Sequence, residues 1–139
     1  MVIFLGLLVM LVVAMWSYKY AWWKSAVDWK RPRVLMYHMV REHIKGAKFN
    51  KLRVTPAEFE KQVAWMKADG FHFVTMQELQ ANWGKHPEKT VAITFDDGYL
   101  DNLEHAFPIL EKYQAKATIY VVVDRHDRDW STYKKAHHN

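Results

Sequence analysis

Apolar residues follow two regimes along the chain. Val2 to Trp16 is an unbroken apolar run, and Ser17, Tyr18 and Tyr20 extend it into an aromatic collar with Trp22 and Trp23. A run that is apolar on all sides has no face to turn to water, so it reads as a helix surrounded by lipid. Its strictly apolar part is shorter than the roughly 20 residues a spanning helix needs; the collar supplies the remainder, with rings suited to the membrane interface. No Lys or Arg precedes the run, and Ala14, Met15 and Trp16 make a poor cleavage site, which disfavours a removed signal peptide. The pattern predicts an uncleaved single-pass anchor over residues 1–20, placing the protein at the cell membrane.

From Arg33 the pattern becomes that of a globular domain. Val34 to Tyr37 is a short apolar run after Pro32 and predicts a buried strand ending at His38, while Arg41 to Arg53 has no clear period and predicts a loop. Thr55, Pro56 and Glu58 form a helix start with a capping box, Gly70 a stop, and Phe59, Val63 and Met66 one apolar face between them. Phe71 to Val74 predicts a strand; Thr75 with Glu78 repeats the capping box before a short helix to Trp83. Val91 to Phe95 predicts the next strand. Leu100, Leu103, Phe107 and Leu110 then recur at helical spacing across Tyr99 to Tyr113, with Pro108 expected to kink or reset the helix. Ala117 to Val123 predicts a last strand buried on both faces. Strand, helix, strand in this order gives an α/β class with parallel pairing.

With 139 residues, the chain holds at most one modest domain after the anchor. Much of the net charge of +5 comes from Lys19, Lys24, Lys30, Arg31 and Arg33, opposed locally by Asp28. We read residues 21–33 as a basic juxtamembrane linker attracted to anionic lipid, which by the positive-inside rule puts the following domain in the cytoplasm. No nucleic-acid-binding pattern accompanies the charge, so nucleic acid is not an expected partner. The absence of cysteine excludes disulfides and thiolate metal ligands.

The strand Val91 to Phe95 delivers the chain to Asp96, Asp97 and Gly98. Two adjacent carboxylates in one pocket repel unless a cation or a shared proton lies between them. Ligands in α/β folds bind at the C-terminal ends of strands, and Gly98 permits a sharp turn that lets the carboxylates converge. One carboxylate could bind a divalent metal while the other takes a proton from water; an ordinary solvated turn is the competing reading.

The wider pattern T-F-D-D-G-Y at residues 94–99, with Asn102, then Pro108-Ile109-Leu110 and Lys116-Ala117-Thr118, resembles the polysaccharide deacetylase or NodB-homology family. Leu35 to Val40 looks like the opening strand of its membrane-linked branches. The resemblance covers roughly residues 34–123. It implies the N-terminal portion of a distorted (β/α) barrel, preceded here by one transmembrane helix, and a metal-dependent hydrolase that removes N-acetyl groups from amino-sugar glycans. It implies Asp96 as general base, Asp97 as metal ligand and His38 near the site, with a divalent metal, zinc first and cobalt or nickel as alternatives.

The family completes its metal site with two histidines after the next helix, and no residue here matches them. His126, His137 and His138 receive no metal role, because His126 stands alone among charges and the other two are adjacent in a polar tail. Residues 34–139 are therefore expected to be a truncated deacetylase domain, inactive alone and part of a longer enzyme. An amino-sugar polymer as substrate favours an extracytoplasmic domain, against the charge rule; a domain on the cytoplasmic side would favour a lipid-linked glycan instead. The rival function is a non-catalytic membrane-anchored binding or accessory protein that keeps the Asp-Asp turn. A phosphatase using Asp96 as nucleophile is disfavoured, since such enzymes commonly want Asp-x-Asp spacing.

Overall fold

The computed structural model describes residues 2–21 and 28–123. Helix α1 spans Val2–Tyr20 and presents its large apolar side chains outward, Phe4 and Tyr18 more than four-fifths exposed. Its 19 residues rise about 28 Å, just under the roughly 30 Å of a bilayer's hydrocarbon core. Among the described residues no helix is long and apolar enough to cross a membrane. The spanning anchor expected over residues 1–20 is thus not supported: the strictly apolar part ends at Trp16, and Lys19 lies in the last turn.

The globular part is built on one strand. Strand β5, Thr90–Phe95, is buried at every position. Strand β1, Arg33–Tyr37, runs parallel along its whole length, from Arg33 opposite Val91 to Tyr37 opposite Phe95. The other flank of β5 is shared: β4, His72–Val74, pairs with its first half, and β6, Ala117–Ile119, with its second. All three partners are parallel to β5. The four strands expected from the sequence therefore form one sheet, whose Tyr37, Phe95 and Ile119 ends lie side by side.

Helix α2, Pro56–Ala68, covers one face of this sheet. Thr55 caps it through the amide of Glu58, whose side chain returns to the Thr55 amide. At the other end Gly70 adopts φ +81, Phe71 N–H donates to Met66 O and Gly70 N–H to Lys67 O, a Schellman closure. Phe59, Val63 and Met66 are the buried residues, as their spacing predicts. Phe59 packs edge-on against Tyr37 and Phe95, with centroids 5.1 and 5.7 Å away. Helix α3, Met76–Ala81, has the second capping box, formed by Thr75 and Glu78.

Four expectations need correction. Strand β1 is buried on one face only, since Val34 and Met36 point away from α2 and are more than half exposed. The expected loop 41–53 holds a 3-10 turn, Asn50–Leu52, and is flanked by a second small parallel sheet of β2, Met39–Val40, and β3, Arg53–Val54. Strands of two residues carry no period that a sequence could display. The predicted last strand ends at Ile119; Tyr120, Val121 and Val123 follow as exposed chain, not as a strand buried on both faces.

The segment after β5 is the fourth. It contains a π-helical turn, Asn102–Ala106, followed by α4, Phe107–Lys112. Pro108 has no N–H to donate and its ring would crowd the carbonyl four residues back; a widened turn just before it relieves both. Leu110 of the expected stripe is buried, while Leu100, Leu103 and Phe107 are more than half exposed. In their place Asp101, Asn102 and Ala106 face inward.

Candidate active site

The sheet fixes where the candidate residues stand. His38 directly follows β1 and Asp96 directly follows β5, and the Asp96 amide donates to Tyr37 O at 2.9 Å, continuing the parallel ladder one step past the strands. Because the aromatic rings of Tyr37 and Phe95 are packed on Phe59, the two strand ends are held from below by the core. His38, Asp96 and Asp97 are all half-buried.

The turn after β5 is bent by two residues of positive φ, Asp97 at +71 and Gly98 at +66. An L-residue with a Cβ pays for such a conformation, and Asp is among the few that tolerate it. Strained backbone of this kind clusters at functional sites. Space is a second consideration at Gly98: a Cβ there would lie 3.0 Å from Val121 Cγ1, so the valine side chain would have to give way. Tyr99 hydrogen-bonds the Asp97 carboxylate, and burial, then the charge of Asp97, push its phenol up to about 12.

Beneath the turn lies a polar cluster. Val40 N–H donates to Asp101 Oδ1 at 3.1 Å. In the orientation that satisfies both ends of its amide, Asn102 donates to Asp101 Oδ1 at 3.2 Å and to His38 O at 3.0 Å. Burial pushes the Asp101 carboxyl up, against the opposing pull of the Val40 amide, Arg41, His105 and Arg53. His43 and His86 each meet a backbone carbonyl, of Arg53 at 3.1 Å and of Leu79 at 2.9 Å.

Among the described residues no three His, Cys, Asp or Glu side chains come together as a metal site. Asp97 offers oxygen donors, but a catalytic zinc takes three protein ligands, so the described residues alone do not fit that metal. His126, His137 and His138 lie outside the described residues.

A family model described as polysaccharide deacetylase matches residues 84–139. The curated relative "Putative polysaccharide deacetylase YxkH" of Bacillus subtilis is 42% identical over 105 residues, which is 73% of this chain and 35% of the relative. The chain carries part of a polysaccharide deacetylase domain. The poly-beta-1,6-N-acetyl-D-glucosamine N-deacetylase of Staphylococcus epidermidis is 33% identical over 102 residues, 65% of this chain and 35% of that one. Among solved structures, the Streptococcus pyogenes deacetylase PplD in complex with acetate superposes with a TM-score of 0.60 at 33% identity, covering 70% of this chain and 44% of PplD. The chain thus spans about a third of the length of these curated relatives. The likeness extends to the mixed α/β fold with a parallel sheet.

Sequence reasoning placed His38 at the end of one strand and Asp96 and Asp97 at the end of another; the parallel pairing of β1 with β5 is what makes those two ends neighbours. The same reasoning did not find Asp101, and it met Tyr99 and Asn102 only through the family pattern. The available signal was a pair of polar residues, Asp101-Asn102, set between Leu100 and Leu103 where an apolar helix face was expected.

Proposed function

We propose that this chain is part of a carbohydrate N-deacetylase that hydrolyses acetamido groups of an amino-sugar polymer. The observation that carries the reading is the placement of Asp96 and Asp97 on a strained turn at the C-terminal end of the central strand, beside the end of β1 that bears His38. Supporting it, a relative one-third identical is named for deacetylating poly-N-acetylglucosamine.

In this reading Asp96 is the general base. It accepts a proton from the water that attacks the acetamido carbonyl; the C–N bond then breaks, the amine gains a proton, and acetate leaves. Asp97 would supply one ligand of a divalent metal, zinc or alternatively cobalt or nickel, completed by groups outside the described residues. Such a metal would polarise the carbonyl under attack. His38 would stand near the substrate.

We also infer that the domain is held at a membrane by α1. Its outward apolar side chains support this, as do Lys30, Arg31 and Arg33, which would meet anionic headgroups. Deleting residues 1–20 should move the chain from membrane to soluble fractions; unchanged sedimentation with membranes would remove the inference.

The function is tested by incubating the chain, in the longest form its gene encodes, with N-acetylglucosamine oligomers and measuring acetate and free amine. We expect release that falls to background in Asp96→Asn. Equal release by the variant would overturn the assignment of Asp96, and oligomer binding without any release would instead favour a non-catalytic glycan-binding protein.

A further inference from the structure

We propose that Asp101 and Asn102 are positioning residues that clamp the His38–Val40 segment to the Asp96–Asp97 turn, and so set where His38 stands relative to the two carboxylates. The meaning of this clamp for catalysis rests on the deacetylase reading; its geometry does not.

Three ties join the two segments, each at a different step along the chain. The Asp96 amide reaches Tyr37 O at 2.9 Å, the Asn102 amide reaches His38 O at 3.0 Å, and the Val40 amide reaches Asp101 Oδ1 at 3.1 Å. Asn102 also donates to Asp101 Oδ1 at 3.2 Å, so the two side chains act as one unit. Met39, between the two tied residues, is wholly buried. The backbone on both sides of the His38 side chain is therefore fastened to residues four to six positions past Asp96 and Asp97.

The sequence around the clamp argues that it is more than filler. Asp101 and Asn102 are 6% and 3% exposed, and buried polar groups are unfavourable unless their hydrogen bonds are made. On the same segment Leu100, Leu103 and Phe107 remain outside. The inward places on this segment go instead to Asp101, Asn102 and Ala106, and the ties to His38 and Val40 fix how the segment is turned. The pair also sits where its effect reaches the site: Tyr99, between Asp97 and Asp101, hydrogen-bonds the Asp97 carboxylate from the same turn.

The test uses the full chain and two spectroscopic readouts, amide hydrogen exchange at Val40 and the ring resonances of His38, in wild type, Asp101→Ala, Asp101→Asn and Asn102→Asp. We expect Val40 exchange to rise roughly tenfold or more in Asp101→Ala and His38 resonances to move in both Asp101→Ala and Asn102→Asp. Amides of β5 should stay protected. Asp101→Asn keeps an acceptor oxygen and should restore the wild-type pattern. The proposal is overturned if Val40 and His38 are unchanged in the first and third variants, or if protection falls equally across β5, which marks a general structural role. Should Asp101→Ala not fold, Asn102→Asp and Asp101→Asn decide by the same readouts.

None of these measurements needs turnover, so failure to release acetate would remove the proposed function and leave the clamp to be judged separately. Where the wild type does release acetate, Asp101→Ala should lower kcat roughly tenfold to a hundredfold with KM little changed.

Discussion

The amide of Asp96 donates to the carbonyl of Tyr37 at 2.9 Å, which fixes the proposed base by its backbone to the last residue of the strand that His38 follows. Neither side chain takes part in this bond. The relation between the two strand ends therefore depends on the core below them, where Phe59 touches both Tyr37 and Phe95.

Phe59→Ala should lower stability by about 3–5 kcal/mol, the usual cost of emptying a large buried aromatic site. Phe59 is wholly buried, and Phe59→Leu should lose less. Urea unfolding measures both, and a wild-type midpoint for the alanine variant would show that the three rings are not a core.

Asp97→Gly should stabilise the chain while abolishing the proposed chemistry. At φ +71 an Asp strains the backbone by about 1 kcal/mol relative to glycine, an advantage reduced by the lost Tyr99 contact. A clear loss of stability in thermal unfolding would mean that the carboxylate contacts outweigh the strain.

Gly98→Ala should destabilise through two separable causes, the positive φ and the approach of Val121 Cγ1. A double-mutant cycle with Val121→Ala separates them. The second change should recover the steric part only, leaving a residual loss of about 1 kcal/mol from the backbone. Full additivity of the two single effects would show that Gly98 and Val121 do not meet.

Stability should fall on acidification. Glu58 is held below its ordinary value of 4.5 by the Thr55 hydroxyl, Glu60 by Lys112 and then Tyr113, and Glu78 by Lys116 and then the Thr75 amide. Each binds its proton more readily in the unfolded chain, so its contribution is present above pH 4.5 and is lost as pH drops through the lowered folded value. Asp101 has the opposite sign: its folded value lies above 3.8, so stability is lost as pH rises from 3.8 toward the folded value and the loss is complete above it. Thermal midpoints against pH should show a shallower acid drop in Glu60→Gln and Glu78→Gln. Asp101→Asn should gain on wild type as pH rises from 3.8; a gap that shrinks with pH would reverse the assignment.

Local rules made much of this legible. The two capping boxes and the Phe59, Val63, Met66 face are nearest-neighbour chemistry, and the chain obeys them at both helices. Strand β5 announces itself because it is buried on both faces and apolar for that reason. What escaped depends on distant partners. Val40 is satisfied by Asp101, 61 positions away, and Arg53 pairs with Met39 in a sheet too short to leave a pattern. The Leu100, Leu103, Phe107 stripe misled because helical spacing says which residues share a face and not which face turns inward. At Gln114 the chain adopts φ +52 to close α4 without the glycine that marks Gly70. No local signal gives that away.

The dependence of three strands on β5 has a kinetic side. Strand β1 is made early, yet its partner arrives far later: the Thr94 hydroxyl reaches Leu35 O across 59 positions. Helices α2 and α3 can close as they emerge, because their caps are three residues apart. The sheet cannot begin until β5 has been synthesised, and loop closure over that distance is slow compared with helix formation. Through that interval Leu35, Val54 and Phe59 have no apolar strand to lie on. The nascent chain stays open to aggregation, and to chaperone capture, until the segment that carries the carboxylate pair has emerged with β5.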